Sequence, residues 1–202
     1  MKAILLSIRP NWGKLIWVGM KTVEVRKTRP KLETPFKVYI YCTGHDGWIM
    51  KSPKAGVQKM DSRVIGEFTC DKIDKLVHVG PCDNDVLQLN VETPDGLWKS
   101  AESLLQAACL TEATAKKYLQ GRNGYGWHIS DLKIYDKPRD LDEFSRFGFF
   151  GMGKSNCVCG NWRCENYEPS ESCMIPPTCK IDGCSICRPP QSWCYVEELS
   201  NE

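Results

Sequence analysis

Gly19-Met20-Lys21-Thr22-Val23-Glu24-Val25-Arg26 is the stretch on which the reading of this chain turns. Glu24 and Arg26 alternate with Val23 and Val25, and the side-chain period of two in a strand puts the valines on one face and the charged pair on the other. Just upstream, Pro10 opens a helix, since the first helical turn tolerates its missing N–H. Trp12, Leu15 and Ile16 give that helix one apolar face, and Gly19 ends it by taking a left-handed conformation. The motif therefore reads as a helix exit followed by a strand. Lys21 offers a point charge for phosphate or a general base, and Glu24 a proton acceptor or a hold on a base's amino group. Arg26 offers a planar fork for phosphate or for pairing with Glu24. Thr22, one residue after Lys21, faces the opposite way.

Working outward, 2–8 predicts a strand, as do 36–42 and 63–70, which are rich in β-branched and aromatic residues. A Gly- and Lys-bearing loop is expected between the last two. Residues 77–99 include Pro81, Pro94 and Gly96 and read as loop with at most one strand. Ser100 and Thr111 read as N-caps of short helices over 101–108 and 112–119, the second closed by Gly121. A long strand is expected over 124–135, a helical turn after Pro138 at Asp140–Glu143, and a closing strand over 191–199. Many short strands with few, short helices predict an α+β fold, a small mixed β-barrel. The barrel is expected from 1–147 with 189–202, and 148–188 is expected to form a cysteine-rich, metal-stabilised insertion.

Hydrophobic residues make up 42% and charged ones 26% of the 202, the usage of an ordinary globular chain, which excludes disordered and fibrous classes. The longest apolar run near the start, Ala3 to Ile8, stops at Arg9-Pro10, far short of the roughly 18 residues a membrane helix needs. It also lacks the features of a secretory leader, so the expected location is the cytoplasm and no membrane partner is expected. The charge is uneven. Residues 1–63 carry thirteen Lys/Arg against four Asp/Glu, a balance of 13 − 4 = +9 in a chain whose total is +2. Such a one-sided basic segment suits a phosphate-contacting face, because cations near a polyanion gain by counterion release.

The eight-residue stretch, with the helix before it and the strands around it, resembles the Gly-x-Lys-x-x-Glu-x-Arg signature of the ASCH family, a branch of the PUA-like superfamily. Leu6-Ser7-Ile8-Arg9-Pro10 with Trp12, Val64-Ile65-Gly66-Glu67-Phe68, Trp127-His128-Ile129-Ser130 and Pro190-Gln191-Ser192-Trp193 extend the resemblance over 1–147 and 189–199. It implies a PUA-like barrel that binds RNA or a nucleotide. Some family members cleave RNA, one bacterial group hydrolyses an acylated cytidine, and the family name carries a proposed link to transcription coactivation. The ligand would meet Arg9, Trp12, Lys21, Glu24, Arg26, Tyr41, Trp127 and Ser192. The alternative is a small hydrolase, a ribonuclease or an amidohydrolase on a modified cytidine, with Lys21 as base and Glu24 as proton shuttle. The acylcytidine-hydrolysing pattern has a threonine where this chain has Glu24, and needs a second carboxylate, for which Glu112 is a guess. Binding is therefore placed ahead of hydrolysis. His128 reads as a satisfied core or edge histidine, and His45 as an exposed one.

Twelve cysteines are present, and seven of them lie between Cys157 and Cys187. Clustering in a reducing compartment points to metal rather than disulfides, and four thiolates satisfy a tetrahedral zinc ion. Cys159, Cys164, Cys184 and Cys187 are the favoured set, with Cys157 and Cys173 as substitutes. Complete thiolate ligation leaves no open position, so the zinc is expected to be structural. The segment it holds is also a candidate contact surface for a protein partner.

Overall fold

The computed structural model describes residues 1–44, 47–80, 88–146, 167–169, 178–179, 186 and 188–199. In chain order the elements are β1 (Lys2–Ile8), α1 (Pro10–Trp17), β2 (Val23–Arg26), β3 (Phe36–Cys42), β4 (Ile49–Ser52), β5 (Gly56–Lys59), β6 (Arg63–Cys70) and β7 (Ile73–Val79). There follow β8 (Gln88–Glu92), β9 (Trp98–Ser100), α2 (Glu102–Ala107), α3 (Glu112–Leu119), β10 (Gly124–His128), β11 (Ser130–Arg139), a 3-10 turn (Leu141–Glu143), β12 (Tyr167–Glu168), β13 (Thr178–Cys179) and β14 (Trp193–Glu197). The result is a mixed α+β fold, mostly strands with three short α-helices among the described residues. No helix among them is long and apolar enough to cross a membrane.

The described strands form two five-stranded sheets, ordered β11-β6-β3-β1-β14 and β2-β10-β7-β8-β9, with β4-β5 and β12-β13 as separate two-stranded ribbons. This corrects the expectation of a closed barrel. Among the described residues both sheets are open, the first ending on β11 and β14 and the second on β2 and β9. The loop expected between 42 and 63 is the hairpin β4–β5, in register from Ile49 opposite Lys59 to Ser52 opposite Gly56. Residues 77–99, expected as loop with at most one strand, hold the end of β7, then β8 and β9. Pro94 and Gly96 belong to the tight turn between β8 and β9, closed by Gly96 N–H to the Thr93 carbonyl and Thr93 N–H to that of Leu97. The single strand expected over 124–135 is two, because the ladder breaks at Ile129 and Asp131 takes a left-handed φ of 48°.

The chain divides into two compact units, residues 1–8, 39–66 and 135–202 in one and 9–38 and 67–134 in the other. In the first, Ala3, Leu5, Tyr39, Tyr41, Val64, Phe144, Ile186 and Val196 form the core, and β14, within the closing strand expected over 191–199, pairs antiparallel with β1. Phe144 meets Tyr39 edge-on at 4.9 Å, and the Tyr39 hydroxyl accepts from the Leu199 N–H. The turn after Pro138 forms as a capping box between Asp140 and Glu143.

In the second unit, Val23 and Val25 pack with Leu76, Leu89 and Val91 from the sheet and with Leu104, Leu105, Ala115 and Leu119 from α2 and α3. Two glycines of β10 make that close approach possible. A Cβ on Gly124 would lie 2.6 Å from a Leu119 methyl, and one on Gly126 would lie 2.9 Å from a Leu104 methyl. Thr111 caps α3 by accepting from the Thr114 N–H. Ser100 sits one position outside the cap of α2, which is Ala101, although its hydroxyl still accepts from the Glu102 N–H. At the C-terminus of α3 the C-cap Gln120 takes a left-handed φ of 56°, and Gly121 continues the turn at 74°.

Candidate functional site

The motif acquires its shape at the end of α1. The N–H groups of Gly19, Met20 and Lys21 bond back to the carbonyls of Ile16 and Leu15, and Gly19 takes a φ of +74° to turn the chain. Lys21, which precedes β2, is buried and Thr22 is exposed, so the turn at Gly19 rather than strand alternation brings Lys21 to Glu24. The Thr22 N–H donates to the Ala107 carbonyl, which ties the start of β2 to the end of α2.

Lys21, Glu24 and Arg26 are 3%, 6% and 9% exposed and form one ion-pair cluster. Lys21 Nζ lies 3.2 Å from Glu24 Oε2, and Arg26 Nη2 lies 3.0 Å from Glu24 Oε1. The ammonium also donates to the Ala108 carbonyl at 2.7 Å and sits 5.0 Å from the centroid of the Trp12 ring. Ala108 is the C-cap of α2, where the last carbonyls lack intrahelical partners and the helix dipole is negative, so a cation there is favoured. Three partners thus match the three donors of Lys21. Two cations on one carboxylate leave the cluster with a net positive charge. Arg26 also hydrogen-bonds Tyr118 of α3, a residue the sequence reading did not single out. Burial pushes the Tyr118 hydroxyl above its ordinary pKa. Lys27 lies 5.3 Å from the same ring and donates to Gln120.

The other expected ligand residues lie in different settings. Arg9 is exposed, and its carbonyl accepts from the N–H groups of Trp12 and Gly13 at the start of α1; Trp12 is half-buried. Trp127 is opposite Glu24 in the ladder but fully buried, edge-on to Phe36 at 6.0 Å. Tyr41, 5% exposed, and the half-buried Ser192 belong to the first unit; Tyr41 is part of its core, and the Ser192 carbonyl accepts from the Ser7 N–H. The structure therefore brings Trp12, Lys21, Glu24 and Arg26 together and puts Tyr41 and Trp127 among core residues. Cys157, Cys159, Cys164, Cys173, Cys184, Cys187 and His45 lie outside the described residues. Among the described residues no group of three or more His, Cys, Asp or Glu side chains is arranged to hold a metal.

Glu112 stands apart from the cluster. It accepts from the Leu89 N–H and pairs with Lys116 at 2.9 Å, lining a cavity of about 550 Å³ with Ser100, Glu102, Leu105 and Gln106. The Lys116 hydrogen bond, with that from Leu89, holds its carboxyl below the ordinary range. His128 has the partner expected of a satisfied histidine, Asp74 Oδ2 at 2.8 Å, and Lys72 lies 2.8 Å from the other oxygen. Burial acts to raise the Asp74 pKa, but the hydrogen bonds from Lys72 and His128 outweigh it, and the net shift is downward.

Against known proteins, no family model matches the chain and no curated protein does. Solved ASCH structures are similar to it. The ASCH protein of Zymomonas mobilis is 18% identical at a TM-score of 0.45, with 70% of this chain and 75% of that one covered. Two single-site variants of the same protein give 18% identity with TM-scores of 0.45 and 0.44.

Proposed function

We propose that the protein is an ASCH-type, PUA-like module that binds RNA or a nucleotide at the corner where α1 leads into β2. The observation that supports this is the convergence of Lys21, Glu24 and Arg26, the three polar residues of the signature, into one positively charged cluster beside Trp12. Both oxygens of Glu24 already accept from cations, so its role is to hold Lys21 and Arg26 rather than to read a base edge. Arg9, exposed and one helical turn from Trp12, supplies a phosphate contact, and the Trp12 ring supplies a stacking face worth about 1–3 kcal/mol per base. Hydrolysis is second, because the amine it would use as base is held by Ala108, Glu24 and Trp12 together. On spacing alone, a structural zinc ion held by four of the clustered cysteines completes the proposal.

Fluorescence anisotropy with a labelled single-stranded RNA of about ten nucleotides tests the reading. Affinity should fall with rising salt, and Arg9→Ala and Trp12→Ala should each weaken it while the protein stays folded. Absence of binding at about 50 mM salt would refute it. Incubation with RNA or an acylated cytidine should leave both intact; turnover lost in Lys21→Met would put the hydrolase first.

A further inference from the structure

The hairpin β4–β5 has a solvent-exposed face that takes no part in the cluster around Lys21. Its register sets Ile49 opposite Lys59 and Lys51 opposite Val57, and residues directly opposite in an antiparallel pair share a face. These four side chains are all exposed, Ile49 by 63% and Val57 by 58%. The other face, with Met50, Ser52 and Gln58, is half-buried or buried. The outward face is therefore a checkerboard, two lysines on one diagonal and two β-branched aliphatics on the other. Neither the Lys51 nor the Lys59 ammonium has an ion-pair or hydrogen-bond partner among the described residues. Residues 47–60 hold three lysines and no acidic residue.

The ribbon is fixed in place. At its base Trp48 is buried, its N–H donates to the buried Asp61 and its carbonyl accepts from the Met60 N–H. At its turn the Ser52 hydroxyl accepts from the N–H groups of Lys54 and Ala55 and donates to Asp136, and Gln58 bonds the Ala55 carbonyl. Gly56 supplies the positive φ of 71°. Little backbone entropy therefore remains to be lost when this face meets a partner.

We infer that this face is a second contact surface for single-stranded RNA, with Lys51 and Lys59 on the phosphates and Ile49 and Val57 against sugar and base. It rests on the RNA-binding reading above but uses residues of the other unit. Charge selects the partner. Diagonal neighbours across a ladder lie about 7–8 Å apart, so the long arms of the two lysines can each take a phosphate of one extended strand. The aliphatics between them offer the apolar contact that unstacked bases, unlike an intact duplex, can accept.

The test is anisotropy on the full chain with a labelled RNA twelve-mer across a salt series. Two lost phosphate contacts change the log–log salt slope by about 2 × 0.7 = 1.4 for a single strand, so K51A with K59A should bind about 25-fold more weakly at 0.1 M salt, a loss that fades towards 1 M. Ile49→Thr with Val57→Thr should weaken binding several-fold with the slope unchanged. The melting temperatures should stay near wild type, since all four side chains are exposed. If the wild type binds and the lysine variant matches it in affinity and slope, the inference falls and the α1–β2 reading stands. If the wild type binds no RNA, that reading falls first and this one with it. If instead the wild type sediments with 4:1 phosphatidylcholine–phosphatidylserine vesicles and the variant does not, while RNA affinity is unchanged, the face is a membrane contact and the inference is overturned.

Discussion

Replacing Lys21 by methionine keeps the unbranched stem and removes the ammonium. Lys21 is almost fully buried, so the loss acts on groups that water cannot readily reach. The Ala108 carbonyl gives up a 2.7 Å donor, and leaving a buried acceptor without one costs about 1–3 kcal/mol. Glu24 loses one of two cations but keeps Arg26 at 3.0 Å, so the full 3–5 kcal/mol of stripping a buried charge of its partner is not incurred. Together these give a destabilisation of about 2–4 kcal/mol. Urea denaturation at pH 7 should show it as a lower midpoint with an unchanged slope. Glu24→Gln should cost at least as much, since two cations then face each other without a counter-charge. The double variant should cost less than the sum of the singles, because the two side chains touch. A Lys21→Met protein within about 0.5 kcal/mol of wild type would refute the clamp role and return Lys21 to candidacy as a catalytic base.

Gly124→Ala puts a methyl 2.6 Å from a side-chain carbon of the buried Leu119, and overpacking of that kind costs about 1–3 kcal/mol, visible as a lower melting temperature. Asp74 has a depressed folded-state pKa, so its contribution to stability is present above the unfolded carboxylate value of about 3.9 and is lost as pH falls through the folded value; Asp74→Asn should therefore flatten the acid limb of a stability–pH curve measured by urea denaturation. Burial pushes the Cys70 thiol up to about 12, so iodoacetamide at pH 8 should leave Cys70 unmodified in the native protein and label it after denaturation, read by peptide mass mapping. Elemental analysis of protein never exposed to chelator should find about one equivalent of zinc; less than half an equivalent of any metal would overturn the cysteine assignment.

The polar cluster was legible because one local pattern determines it: alternation over 22–26 separates the valines from Glu24 and Arg26, and the turn at Gly19 brings Lys21 to the same side. What closes the cluster was not legible. The Ala108 carbonyl is a backbone group 87 residues away, and no side chain at position 108 advertises it. Tyr118 lies on a helix whose apolar residues already account for its packing. The same limit explains why the loop expected between 42 and 63 is the hairpin β4–β5 and why 77–99, read as loop with at most one strand, holds both β8 and β9. Pro94 and Gly96 read as loop markers, whereas they shape the turn of a hairpin whose strands are only five and three residues long. Trp127 illustrates the converse, since an aromatic beside a charged motif reads as a stacking platform until Phe36 and the ladder enclose it.

The tie between β2 and the end of α2 also bears on how this unit opens. Lys21 Nζ to the Ala108 carbonyl, the Thr22 amide to that of Ala107, and Cys109 Sγ to that of Met20 are three bonds across one seam. Peeling α2 from the sheet would strand an ammonium and a carboxylate in a half-dry gap, so partial detachment is disfavoured relative to release of both segments together. The amides of Thr22 and Ile129, whose acceptors lie on either side of that seam, should then report one common opening free energy by hydrogen exchange, as members of a single cooperative unit rather than as a fraying edge.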